Sequence, residues 1–162
     1  MEDGPRQPDT TERFLRASIV DELITLLQDN RIDEALAMLY AEASRDQTEI
    51  QEDLILALCS TDRAPLVRRF IRRHTDGFRA CEAWLCFITT MQLADDEDLA
   101  ALGASIGGIE SSALRLYVLD TIHDFLGHNH RRFDLVCRAL TWPDDRAYAA
   151  QITSMMLGIA KG

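Results

Sequence analysis

The sequence contains few aromatic residues and few prolines, and it has no long hydrophobic run. Aromatic side chains make up 7% of the 162 residues, and there are four prolines. No apolar run is long enough to cross a bilayer, and the polar residues 1–10 lack the apolar segment of a signal peptide. We therefore expect a cytoplasmic protein that has no membrane partner.

Two motifs that mark particular classes of enzyme are missing as well. The sequence lacks the His-Glu-x-x-His pattern of zinc proteases. Gly107-Gly108 has neither the lysine nor the spacing of a phosphate-binding loop. We therefore expect no enzymatic activity, no catalytic residue, no metal site and no cofactor.

Positive charge is in short supply. The chain has 17 basic and 27 acidic side chains, which give it a net charge of -10. A chain of this charge repels the phosphate backbone of nucleic acids. We therefore expect no nucleic-acid partner, and another protein is the partner that we predict.

Cysteine is scarce, and the spacing of the four cysteines suits no metal or redox motif. Cys59, Cys81, Cys86 and Cys137 each lie in an apolar stretch. Cys81 and Cys86 are about 140° apart around a helix, which fits neither a zinc knuckle nor a redox pair. Free cysteine is among the most buried residue types, so we expect four buried, reduced thiols.

Short amphipathic segments are what the sequence has in quantity. Apolar residues recur at helical spacing in eight or nine segments, separated by breaks rich in Asn, Asp, Gly and Pro. Residues 11–162 are therefore predicted to form a single α-helical domain, after a disordered lead over residues 1–10. The fifth and seventh helices are apolar on most sides, which is typical of helices in the middle of a stack. In the first helix, the predicted apolar stripe consists of Phe14, Leu15, Ile19, Val20, Leu23, Ile24 and Leu27.

The spacing of the segments predicts how they pack. Alternate helices begin about 30 to 36 residues apart, which is the period of helical-hairpin repeats. A hairpin of two helices cannot bury its apolar face alone, so neighbouring hairpins must stack. The sequence therefore predicts an all-α fold of stacked antiparallel helices that resembles a short α-solenoid. A closed helical bundle has the same periodicity and stays open as the alternative.

Polar residues and glycines predict where several helices begin and end. Asp46 and Glu49 have the spacing of a capping box at the start of the third helix. Gly77 is expected to end the fourth helix. The acidic residues 95–98 suit the positive end of the sixth helix better than a calcium site, because the spacing and the glycine of an EF-hand are missing. Gly107-Gly108 is either a hinge or a stop signal between two helices.

Residues 30–43 resemble the opening of the second helix of a tetratricopeptide repeat. That repeat has a turn residue, an aromatic or aliphatic residue, an alanine, and a large apolar residue four positions further on. Asn30, Ile32, Ala35 and Leu39 occupy these places. The resemblance implies stacked helical hairpins. By analogy of shape, it also points to the small, acidic tetratricopeptide-type chaperones of bacterial secretion systems.

Basic residues gather at two places, and apolar residues at a third. Arginines on the fourth and eighth helices are suited to bidentate contact with carboxylates, and methionines on the last helix suit an adaptable groove. We therefore predict a protein–protein interaction module, an adaptor, chaperone or regulatory subunit that binds a partner helix or extended segment. The predicted partner-binding residues are Arg68, Arg69, Arg72, Arg73, Arg131, Arg132, Met155, Met156 and Ile159.

Two other functions fit the sequence. A small helical enzyme or metal-binding protein would use His123 and His128, with His130, Asp120 and Asp124 nearby. The dipole at the end of a helix also favours histidines there without any metal. A self-associating helical regulator would form a homo-oligomer through its last helix.

Overall fold

The computed structural model describes residues 10–91, 94–126 and 129–161, with side chains up to Met155 in the last helix. Within these ranges there are nine α-helices and no strand, which confirms the predicted all-α fold. None of these helices combines the length and the hydropathy needed to cross a bilayer. The helices are α1 (Thr10–Gln28), α2 (Ile32–Tyr40), α3 (Ser44–Ser60), α4 (Ala64–Arg72), α5 (Gly77–Thr90), α6 (Asp96–Ile106), α7 (Ser112–Leu126), α8 (His130–Arg138) and α9 (Pro143–Lys161).

The chain divides into two compact units, one ending at Arg73 and the other beginning at His74. In the first unit, α1 to α4 all pack against one another. In the second unit, α6 packs against α5 and α8, and α7, α8 and α9 pack against one another. Contacts between helices one or two apart in the chain are typical of stacked hairpins, and the α1–α4 contact is typical of a closed bundle. The single domain over 11–162 stays a prediction. Of the predicted lead, residues 1–9 lie outside the described residues, and Thr10 belongs to α1.

A buried apolar core holds the four helices of the first unit together. Fully burying one leucine, isoleucine or phenylalanine side chain contributes about 1.5–3 kcal/mol. Because α2 and α4 have only nine residues each, their stability comes from this burial rather than from helix propensity. The core residues that are at most 1% exposed are Leu23, Leu27, Ala35, Leu39, Leu54, Ile55, Leu58, Val67, Phe70 and Ile71.

Both hairpins of the first unit close with the same backbone turn. Asn30 and Asp62 have positive φ angles of 61° and 60°. The residue after each one, Arg31 or Arg63, donates its N–H to the carbonyl five residues back at 2.9 Å. This is a Schellman motif, and Asn and Asp are the residues other than glycine that best adopt the left-handed conformation. A nine-residue helix begins two residues after each turn, so the hairpins repeat a sequence signal as well as a shape.

Substitutions at Asp62 test this turn. Glycine adopts positive φ without strain, so we expect Asp62→Gly to raise the free energy of unfolding by up to about 1 kcal/mol. Asp62→Val should lower it by about 1–2 kcal/mol, because a branched side chain is strained at positive φ. Urea denaturation measures both values. A stability order other than Gly above Asp above Val would contradict the turn.

In the second unit, a glycine lets two helices approach closely. A Cβ atom on Gly103 would lie 2.1 Å from the carbonyl oxygen of Val136, so a larger residue would push α6 away from α8. The prediction that α7 is covered on most sides is wrong, because Tyr117 is 63% exposed and Phe125 is 51% exposed. The core around the α6–α8 contact includes Trp84, Phe87, Leu102, Ile106, Leu119, Ile122 and Phe133.

A buried ion pair joins α7 to α9. Nε of Arg115 donates to both carboxylate oxygens of Asp145, at 3.2 and 2.9 Å. The two side chains are 3% and 1% exposed. Nη1 of Arg115 donates to the carbonyl oxygens of Ile109 and Glu110, each at 2.9 Å, and the guanidinium lies 4.0 Å over the ring of Trp142. The buried charge is therefore surrounded by the partners that such a charge needs.

The same network fixes the turn after α6. Nε1 of Trp142 donates to the carbonyl oxygen of Gly107 at 3.0 Å. A Cβ atom on Gly107 would lie 2.3 Å from Oγ1 of Thr141, so the glycine allows a close approach. Its φ of −61° is an ordinary helical value. A turn held in this way favours the stop signal over the hinge at Gly107-Gly108.

Acidic residues cap α6 as predicted. The N–H of Asp98 donates to Oδ1 of Asp95 at 2.9 Å, and the N–H of Asp95 donates to Oδ2 of Asp98 at 3.1 Å. This reciprocal pair is a capping box, in which each carboxylate satisfies a backbone donor at the positive end of the helix.

Two other predictions of helix ends are wrong. Asp46 and Glu49 do not form a capping box, because α3 begins at Ser44 and Asp46 lies inside its first turn. Gly77 does not end α4 but is the first residue of α5, whose N-cap is Asp76. A Cβ atom on Gly77 would lie 2.6 Å from the backbone of Gly108, so close packing explains this glycine.

Removing Arg115 tests the buried network. We expect Arg115→Leu to lower the free energy of unfolding in urea by about 3–5 kcal/mol, because Asp145 is left as a buried, unpaired charge. The matched control, Arg138→Leu, breaks the exposed pair between Arg138 and Asp134 and should cost at most about 1 kcal/mol. Combining Arg115→Leu with Asp145→Leu should recover part of the loss. Equal effects of the two single substitutions would show that the pair at Arg115 is not buried.

Candidate partner-binding surfaces

Two of the predicted arginines, Arg69 on α4 and Arg73 at its C-cap, are held by side chains of their own unit. Nη2 of Arg73 donates to both carboxylate oxygens of Asp33 at 2.7 Å, and this pairing raises the pKa of the guanidinium. Nη1 of Arg69 donates to Oδ1 of Asn30 at 3.4 Å. Asn30 lies in the turn before α2, and Asp33 lies in the first turn of α2. Both contacts therefore link the α4 region to the start of α2. On the same helix, Arg68 is half-buried and Arg72 is exposed.

The predicted arginines at the start of α8 have a similar position. Nη2 of Arg131 lies 2.9 Å from Oδ2 of Asp96 at the start of α6. Arg132 is half-buried, and its backbone N–H donates to Oδ1 of Asn129, the N-cap residue, at 3.2 Å. Arg131 thus contacts an acidic side chain of its own unit, and binding of an acidic partner there stays a prediction.

The last helix presents one predicted residue to solvent. Met155 is 68% exposed, while the side chains of Met156 and Ile159 lie outside the described residues. The hydroxyl of Tyr148 donates to Oδ1 of Asp120 at 2.6 Å, one turn beyond the buried ion pair on both helices. Helices α7 and α9 therefore run parallel, and α9 continues past the end of α7. Self-association through this helix stays a prediction.

The histidine cluster is only partly described. His128 lies outside the described residues, and His130 is the first residue of α8. The ring of His123 packs edge-on against Phe133 with centroids 5.4 Å apart, and its Nδ1 lies 4.0 Å from Oδ1 of Asp124. Oδ1 of Asp120 accepts a hydrogen bond from the hydroxyl of Tyr148. Within the described ranges no group of three metal-binding side chains comes together.

A groove in the first unit has the shape of a docking site. It lies between the first two turns and a half of α1 and the start of α3, and its volume is about 510 Å³. Its apolar part comes from Leu15 and Ile19, one turn apart on α1, and from Ile50 on α3. We call it the α1–α3 groove; its lining residues are Glu12, Leu15, Arg16, Ile19, Glu42, Arg45, Asp46, Glu49 and Ile50.

The two helices that form the α1–α3 groove run in the same direction. Residues near the N-terminal end of α1 and residues near the N-terminal end of α3 line it together. An ion pair between Arg16 and Glu49 ties the helices together. The side chain of Arg45 is 90% exposed, and its Nε lies 3.8 Å from Oδ1 of Asp46. Charged side chains thus surround an apolar floor, as in many protein-binding grooves.

The apolar pattern of the first helix does not predict this groove. It places Phe14 and Leu15 on the inward stripe, but they are 73% and 56% exposed. The buried part of that stripe begins at Val20. A signal was present in the sequence, because Glu12 and Arg16 are one turn apart on the face that continues into Ile19. A charged start to an otherwise apolar face indicates that the face leaves the core.

Burial shifts the pKa of three thiols. It raises the pKa of Cys81 to about 12 and that of Cys137 to about 11, and it also raises the pKa of Cys59. Because the thiolate is the reactive form, burial disfavours the reaction of these cysteines near neutral pH. Cys81 is fully buried, while the other three cysteines are half-buried, so complete burial of all four is wrong.

Comparisons with family models, with curated proteins and with solved structures found no match for this chain. The geometry and chemistry of the surfaces themselves are therefore what indicates a function.

His74 gives the protein a measurable pH dependence. Burial lowers the pKa of His74 from 6.5 to about 4, partly offset by the nearby Asp76. Its folded pKa is below the unfolded value, so the unfolded chain binds more protons between these values and stability falls as pH drops through this window. The His74 contribution should fall by about 2 kcal/mol between pH 7 and pH 5.

The variant His74→Gln isolates this contribution, because glutamine does not titrate. We expect the difference in unfolding free energy between wild type and variant to change by about 2 kcal/mol from pH 7 to pH 5, in the direction that disfavours wild type. Urea denaturation at several pH values measures it. A difference independent of pH would show that His74 titrates normally in the folded protein.

Proposed function

We propose that the protein is a protein-binding module that holds a segment of another polypeptide in the α1–α3 groove. The observation that carries the proposal is the exposure of Leu15 in the lining of an open groove whose floor includes Ile19 and Ile50. Phe14, the preceding residue in the chain, is exposed as well. Contiguous exposed apolar residues with a polar rim are typical of interaction sites. An isolated exposed leucine would not support the proposal, but one that continues into the apolar floor of a groove does.

The contacts that the predicted arginines make favour the α1–α3 groove, and not those arginines, as the main binding surface. Arg69, Arg73 and Arg131 each contact a polar or acidic side chain of their own unit. An acidic partner would have to compete with these contacts. We therefore place the primary contact on the α1–α3 groove.

The proposal covers an adaptor, a chaperone or a regulatory subunit, since each of these holds another polypeptide. None of the four cysteines is in a disulfide, which suits a reducing compartment and supports the predicted cytoplasmic location. The absence of enzymatic activity stays part of the proposal.

Selected peptides and paired leucine variants test the groove. Short peptides are selected from a displayed random library for binding to the wild-type protein, and their dissociation constants are then measured. We expect Leu15→Glu to weaken binding of the selected peptides by about tenfold to a hundredfold, because it removes an apolar contact worth about 1.5–3 kcal/mol.

The matched control is Leu56→Glu, which changes an exposed leucine on α3 that does not line the groove. It should leave the dissociation constants unchanged within about twofold, since distant sites act independently. Circular dichroism shows whether both variants keep their helical content. Selected peptides that bind Leu15→Glu as tightly as wild type would place the binding surface elsewhere.

A further inference from the structure

We infer that the segment held in the α1–α3 groove is a positively charged amphipathic helix of another protein. The inference rests on the proposed function and adds the class of partner to it. The charge of the groove, the shape of its floor and the character of the chain's own helices carry it.

The charge of the groove favours a cationic occupant. Its lining holds four carboxylates and two guanidiniums, a net charge of two negative units. One guanidinium, that of Arg16, is already paired with Glu49 across the groove. The whole chain has a net charge of -10. Lysines or arginines beside the apolar contacts would therefore be attracted, while an acidic segment would be repelled.

The shape of the groove favours a helix over an extended segment. An extended strand binds by adding to a sheet edge, and the described ranges contain no strand. A polyproline segment binds between aromatic side chains, and none of the residues that line the groove is aromatic. Two parallel helices with Leu15 and Ile19 one turn apart instead offer the ridge against which a third helix packs.

A second copy of the chain does not supply such a helix within the described ranges. Helices α4 and α8 each combine arginines with an apolar stripe. The stripes, Val67, Phe70 and Ile71 on α4 and Phe133 and Val136 on α8, are at most 2% exposed. Using either helix as a ligand would require unfolding its unit. The occupant is therefore a helix from a different protein.

Three synthetic peptides test the inference by fluorescence anisotropy. The first is an amphipathic helix with leucines at positions i, i+4 and i+7 and lysines elsewhere. The second replaces every lysine by glutamate. The third has the composition of the first in scrambled order. We expect the first peptide to bind at least about tenfold more tightly than either of the others, and its affinity to fall as salt is added.

Charge-reversal variants locate the binding. We expect Glu12→Lys combined with Glu42→Lys to weaken binding of the cationic peptide by about tenfold and to strengthen binding of the acidic peptide. The matched control combines Glu52→Lys with Asp53→Lys, which makes the same change in net charge at exposed positions of α3 outside the groove. That control should change either affinity by less than about threefold. Circular dichroism of each variant checks that the helices remain folded.

The outcomes separate this inference from the proposed function. If Leu15→Glu weakens both helical twins and their affinities are equal, the groove binds helices and the cationic assignment is overturned. Tighter binding of the acidic twin overturns it as well. If the scrambled peptide binds as tightly as the cationic helix, or if Leu15→Glu has no effect on it, the helix is not in the groove and both the inference and the groove are overturned.

Discussion

This structure depends on one constraint: a short helix cannot bury its apolar stripe without neighbouring helices. Helices of nine residues are marginal in water, so α2, α4 and α8 exist only because neighbouring helices cover them. In the first unit the four helices all pack against one another, and Phe70 and Leu39 are fully buried in the core. In the second unit, Gly103 lets α6 and α8 approach closely. Function has to use whatever surface remains after this burial.

Charge contributes order where apolar packing does not specify it. The Arg115–Asp145 pair stabilises one arrangement of α7, α9 and the turn after α6, because a buried guanidinium needs all of its partners at once. The exposed pairs of Arg73 and Arg131 act differently. They are partly screened by water and link helices that are already packed.

The α1–α3 groove is a consequence of how α1 is covered. Helices α2, α3 and α4 cover its buried residues Val20, Leu23 and Leu27, while its first turns carry apolar and charged side chains that no described core receives. An apolar surface beside a groove with negative charge has low free energy only when something covers it. The proposed binding site therefore results from the incomplete burial of α1 in the folded unit.

The sequence alone determined the helices, because apolar residues at helical spacing and the breaks between them are local signals. The acidic residues 95–98 marked the start of α6 correctly for the same reason. It did not determine which part of a stripe is buried, so Phe14 and Leu15 were assigned inward although they are exposed. Nor did it distinguish Arg115 from the arginines on the surface, since the partners of Arg115 come from distant parts of the chain. Only the tertiary structure decided these points, because burial and ion pairing depend on which helices meet in space.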